Sequence, residues 1–128
     1  MIMRLAKMTV AMVLMASALT PAVAQTAGDP IESYCATMGE EDHFASDGYP
    51  LKDAAAIIRQ DRANFHLFDK RDQSDEDDST FGSKANRARL ERMLKNGSMD
   101  RATRQAIING TPDVCIDVFA NYINVTLL

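Results

Sequence analysis

From Thr111 to Leu128 the chain alternates between apolar and other residues. Val114, Ile116 and Val118 form one series. Ile123, Val125 and Leu127 form a second, beyond a short break at Ala120-Asn121-Tyr122. A period of two on both sides of a break predicts two half-buried strands joined as an antiparallel hairpin. A lone hairpin is marginal in water and must pack on something. The helices predicted upstream are the available cover.

Upstream the spacing changes to that of helices. Asp29-Pro30-Ile31-Glu32 reads as a helix start, with a capping Asp and a Pro at the first helical position. Ile31, Tyr34, Cys35 and Met38 then fall at i, i+3, i+4 and i+7, and Gly39 is the stop. Glu40 to Tyr49 reads as a loop. Pro50 opens a second helix with Leu51, Ala54, Ala55 and Ile58 on its apolar face. Residues 63–68 fit a continuation of that helix or a strand in which Ala63, Phe65 and Leu67 alternate, and we read helix. Ser83 caps a third helix that runs to about Asn96, with Leu90, Met93 and Leu94 inward and Gly97 at its end. Ser98 caps a fourth, with Met99, Ala102, Ala106 and Ile107 inward. Asn109-Gly110 closes it and Pro112 prevents resumption.

Composition then divides the chain. Residues 1–24 have the layout of a secretory signal: Arg4 and Lys7, an apolar run from Met8 to Leu19, and the small-x-small site Ala22-Val23-Ala24. The run is shorter than the roughly twenty residues of a spanning helix, so no transmembrane anchor is expected. Residues 25–128 are expected to form one small domain in the periplasm or outside the cell. The chain has two cysteines, Cys35 and Cys115. An even pair in an exported chain predicts a disulfide, and the spacing fits neither a zinc motif nor a redox Cys-x-x-Cys. The expected fold is therefore α+β, with three to four short helices packed on a C-terminal antiparallel hairpin and one disulfide.

Charge is unevenly placed. Asp29 to Gly82 holds 14 acids and five bases, whereas Ser83 to Leu128 holds seven bases and four acids. Residues 69–79 contain no apolar side chain and read as a solvated, mobile acidic loop. Asp72, Asp75, Glu76, Asp77 and Asp78 in that loop are candidate contacts for a basic partner. They also offer oxygens to a hard cation, but in no EF-hand register, and no metal is assigned. Arg87 and Arg92, on the third predicted helix, are candidate contacts for an acidic surface, including the acidic loop of a second copy in a homodimer. Nucleic acid is not expected for an acidic, exported chain without an aromatic platform.

The chemistry-bearing residues are sparse. His43 and His66 are the two histidines, and they lie in different segments. No nucleophile elbow, phosphate loop, His-Glu-x-x-His or nicotinamide fingerprint appears, so no cofactor is expected. The leading reading is a small exported protein-binding module of inhibitor or immunity type. The alternatives are a small hydrolase of an envelope polymer, using His43 or His66 as base, and a structural or stress envelope protein without a defined ligand. Cys115-Ile116-Asp117-Val118-Phe119 resembles a short C-terminal stretch of the periplasmic immunity proteins that neutralise type VI secretion amidases. That resemblance covers five residues and implies a protein-binding role. The family is helical there, whereas this segment alternates like a strand.

Overall fold

The computed structural model describes residues 28–128, and the expected signal segment, 1–24, lies outside them. In chain order the elements are β1 (Glu32–Thr37), a 3-10 turn (Glu40–His43), α1 (Ala54–Leu67) and a second 3-10 turn (Thr80–Gly82). Then come α2 (Lys84–Asn96), β2 (Ser98–Met99), α3 (Arg101–Asn109), β3 (Asp113–Val118) and β4 (Ile123–Leu127). The strands form one four-stranded sheet in the order β1-β3-β4-β2. β3 is antiparallel to both β1 and β4, and β2 is parallel to β4. The protein is thus a small α+β domain built on the expected C-terminal hairpin.

One face of the sheet makes the core. In register across three strands lie Tyr34, Ile116 and Val125, flanked by Ala36 with Val114 and by Val118 with Ile123, all buried. Against them pack Ile57 and Ile58 of α1, Leu90 and Met93 of α2, Ile107 of α3, and Phe81, which is fully buried. At the hairpin turn the Phe119 N–H donates to Tyr122 O at 2.9 Å, and the two rings stack with centroids 4.3 Å apart. α1 runs through residues 63–67, as read from the sequence.

The N-terminal segment corrects the sequence reading. The expected helix from Asp29 to Gly39 is strand β1. Its i, i+3, i+4, i+7 match coexists with a period of two in Tyr34, Ala36 and Met38, and the second pattern is the one buried. A short segment satisfies both templates, and pairing with the hairpin decides between them. Cys35 therefore lies on the outward face of the sheet, not on a buried helical stripe. It stands directly opposite Cys115 and is bonded to it. On either side are Ser33, which donates to Asp117 Oδ1 at 2.6 Å, and Thr37, which donates to Asp113. The bridge spans 80 residues of sequence, a closure that contributes roughly 4–5 kcal/mol in the chain-entropy account.

Two helix starts are also corrected. α1 begins at Ala54, where Asp53 accepts from the Ala56 N–H at 3.2 Å, and not at Pro50, which bridges back to Phe44. α2 is capped by Ser83 as expected. The next helix is capped by Asp100, whose Oδ1 accepts from the Thr103 N–H at 2.7 Å, and not by Ser98. Ser98 and Met99 instead pair with Asn124 and Val125. Gly97 makes that pairing sterically feasible, since a Cβ there would lie 1.7 Å from the Ile123 carbonyl oxygen.

The acidic segment is the largest correction. Residues 72–80 run along the free edge of β1. The Glu76 N–H donates to Cys35 O at 2.9 Å, and Glu76 Oε1 accepts from the Cys35 N–H at 2.7 Å. Asp75 Oδ1 accepts from the Thr37 N–H at 2.9 Å. The Glu32 carboxylate, on β1, accepts from the N–H and hydroxyl groups of both Ser79 and Thr80. The acids serve as hydrogen-bond acceptors for an edge strand that would otherwise be open.

Arg62 of α1 fastens this cover from beneath. Its side chain is fully buried, with Nε 2.8 Å from Asp61 Oδ2 and Nη1 2.9 Å from both Asp78 Oδ1 and Glu76 O. The guanidinium lies 4.2 Å from the Tyr34 ring centroid and 4.5 Å from that of Phe65. Removing one member of such a buried ionic group leaves the others uncompensated. Arg62→Ala is expected to destabilise the oxidised protein by about 3–5 kcal/mol in urea unfolding. A loss below about 1 kcal/mol, the scale of a surface pair, would contradict this role.

Candidate functional site

The segment Gly39 to Leu51 is irregular but closely held. Asp42 Oδ2 accepts from the Gly39 N–H at 2.9 Å, and the Leu51 N–H donates to His43 O at 2.8 Å. The His43 ring joins two backbones, with Nδ1 2.7 Å from Gly39 O and Nε2 2.8 Å from Ile107 O in α3. Gly48 takes φ 88°, the left-handed value that lets the tip of the loop reverse. With its base fixed, the loop carries Phe44 and Tyr49 outward, 49% and 73% exposed.

The facing surface comes from α1. Gln60, Asn64 and Phe68 follow one another at intervals of four, one row along the helix and its C-cap. Phe68 is 48% exposed. Phe44, Phe68, Glu41, Ser46, Gln60 and Asn64, with Lys70, line a pocket of about 270 Å³. A second pocket, of about 410 Å³, lies between His43 and Phe44 and the end of α3 at Ile108 to Thr111. Phe44 lines both.

A chain of hydrogen bonds leads from the first pocket into the protein. Gln60 Nε2 donates to Ser46 Oγ at 3.2 Å and to Asn64 Oδ1 at 2.9 Å. Asn64 Nδ2 donates to Asp42 Oδ1 at 2.9 Å. Burial raises the Asp42 carboxyl to about 6, against the lowering pull of its bonds from Asn64 and Gly39.

The candidate residues from the sequence do not converge here. Asp72 lies against Gly39, its carboxyl raised by burial and then by Asp75, Glu41 and Asp113. Asp75 and Glu76 are occupied on the β1 edge. Asp78 is buried against Arg62, and its Oδ2 also accepts from the Phe81 N–H at 2.6 Å. Arg87 is buried too, donating to Phe81 O and Gly82 O. Asp78 and Arg87 are thus buried internal fastenings. Asp77 and Arg92 are exposed, in different parts of the fold.

The other candidate chemistry is likewise engaged. His66 Nε2 lies 2.7 Å from Asp78 Oδ1, and among the described residues no hydroxyl or thiol is hydrogen-bonded to either histidine. His66, Asp77 and Asp78 come close enough to share a cation. However, the same Asp78 oxygen already receives Arg62, and a metal would face that guanidinium across it.

The reading from sequence missed Phe44, Phe68, Gln60 and Asn64. The available signal was the row at 60, 64 and 68, polar then aromatic, at the border of the buried stripe of α1.

No protein-family model, curated protein or solved structure matches the chain. The resemblance at Cys115 to Phe119 rests on those five residues, of which Cys115 to Val118 lie in strand β3 and Phe119 follows it.

The raised Asp42 value has a defined sign. The folded state holds this proton more tightly than the unfolded chain, whose Asp titrates near 3.9. The stabilisation from this group is full below about pH 4 and is lost as pH rises through about 6. An NMR titration of the Asp42 side-chain carboxyl is expected to show a midpoint near 6. A midpoint at or below about 4 would contradict the burial described.

Proposed function

We propose that this is an exported protein-binding module, of inhibitor or immunity type, that engages another protein through the Phe44–Phe68 surface. The carrying observation is the gathering of exposed aromatics on a closely held loop and helix end. Phe44 and Phe68 line one pocket, and Tyr49 is on the same loop. Aromatic side chains at a concave, partly polar site are the usual anchors of protein interfaces. The rigid base matters because little conformational entropy is lost when such a surface binds.

Export is supported by the disulfide, which persists in oxidising compartments, and by the signal pattern in residues 1–24. No helix among the described residues is long and apolar enough to cross a membrane. The hydrolase alternative draws less support, because His43 bonds to two backbone carbonyls and His66 to a carboxylate shared with Arg62.

Tagged protein recovered from its own compartment, with a high-salt wash, is expected to bring down one stoichiometric protein partner. The double variant Phe44→Ala, Phe68→Ala is expected to fold normally, since both side chains are half exposed. It should bind that partner more weakly, on the order of tenfold or more. Equal retention by a folded double variant would remove this surface as the binding site.

A further inference from the structure

We propose that the Phe44–Phe68 pocket receives the cationic side chain, lysine or arginine, of a basic segment on the partner protein. This rests on the binding reading above and adds the chemistry of what is bound.

The polarity of the pocket floor is set from inside. Above about pH 6 Asp42 is ionised and an acceptor only, so Asn64 turns its Nδ2 toward it, at 2.9 Å. The same nitrogen reaches Glu41 O at 3.4 Å. Asn64 Oδ1 therefore faces Gln60, which meets it with Nε2 at 2.9 Å. Gln60 spends the other donor of that nitrogen on Ser46 Oγ. Gln60 Oε1 is left as an acceptor without a partner among the described residues. The buried carboxylate thus orients two amides so that carbonyl oxygen is what remains for a ligand.

The surroundings favour the same ligand. Glu41 is one of the residues lining the pocket, and its carboxylate makes no ion pair among the described residues. The faces of Phe44 and Phe68 attract cations. From Asp29 to Gly82 there are 14 acids against five bases. One of those bases, Arg62, is buried, and another, Arg71, bonds to Phe65 O and lies 3.5 Å from Asp69. A basic segment would be drawn to this half of the molecule. Lys70 is the one base lining the pocket, on an exposed side chain. An entering cation would have to push it aside, so its removal should help.

The test is selection of displayed peptides on the oxidised mature protein at low salt. Enriched peptides are expected to share a lysine or arginine whose replacement by alanine weakens binding on the order of tenfold. Their affinity should fall with added salt, fall in Gln60→Leu and rise in Lys70→Met. Peptides without a base that still require Phe44 and Phe68 would overturn the cationic assignment and leave the binding reading standing. Peptides indifferent to Phe44→Ala and Phe68→Ala, or no enrichment at all, would overturn both.

Discussion

A guanidinium with no access to water needs partners on every side, and the way Arg62 finds them organises the N-terminal half of this fold. It sits on α1 under β1, between the Tyr34 and Phe65 rings, and reaches Asp61, Asp78 and Glu76 O. Those contacts hold residues 76–78 over the edge of the sheet. The arrangement is not fully satisfied: Tyr34 Oη, Asp61 Oδ1 and Arg62 Nη2 are buried without a hydrogen-bond partner among the described residues. Any other placement of the segment would leave a buried charge alone, which disfavours alternatives to this arrangement.

The acids have two kinds of work. Those at 75, 76 and 78, together with Glu32, accept hydrogen bonds from an edge strand and its connecting segment. The Glu32 carboxyl is raised by burial but lowered more by its bonds from Ser79 and Thr80, and the net shift is downward. It therefore stabilises the fold above its unfolded value and loses that contribution as pH falls through the lower folded one. Asp42 works in the opposite sense and polarises the pocket floor. Carboxylates thus close one edge of the sheet and shape the surface beside it.

Much of the fold was legible because local pattern and tertiary demand agreed. The hairpin at Val114 to Leu127, the Ser83 cap, the stop at Gly110 and the cysteine pair all satisfy both. β1 was misread because Ile31, Tyr34, Cys35 and Met38 fit a helical stripe, while Tyr34 and Ala36 pair with β3 and the Met38 N–H bonds to Pro112 just before it. The short strand at Ser98 and Met99 was hidden by its length. The acidic segment looked solvated because composition reports charge and not which backbone N–H a carboxylate will meet. The candidate site was hardly legible at all. Phe44 and Phe68 are 24 positions apart, and only the packing of the 39–51 loop on α1 brings them to one pocket.

The acidic segment is a folded cover of the sheet edge, held there by Arg62. Amide hydrogen exchange at Cys35 and Thr37 tests it most directly, because their N–H groups point away from β3 to Glu76 and Asp75. Strong protection of both amides in the oxidised protein, lost in Arg62→Ala, is the expected result. Exchange as fast as that of an open edge strand, with Arg62 in place, would contradict it.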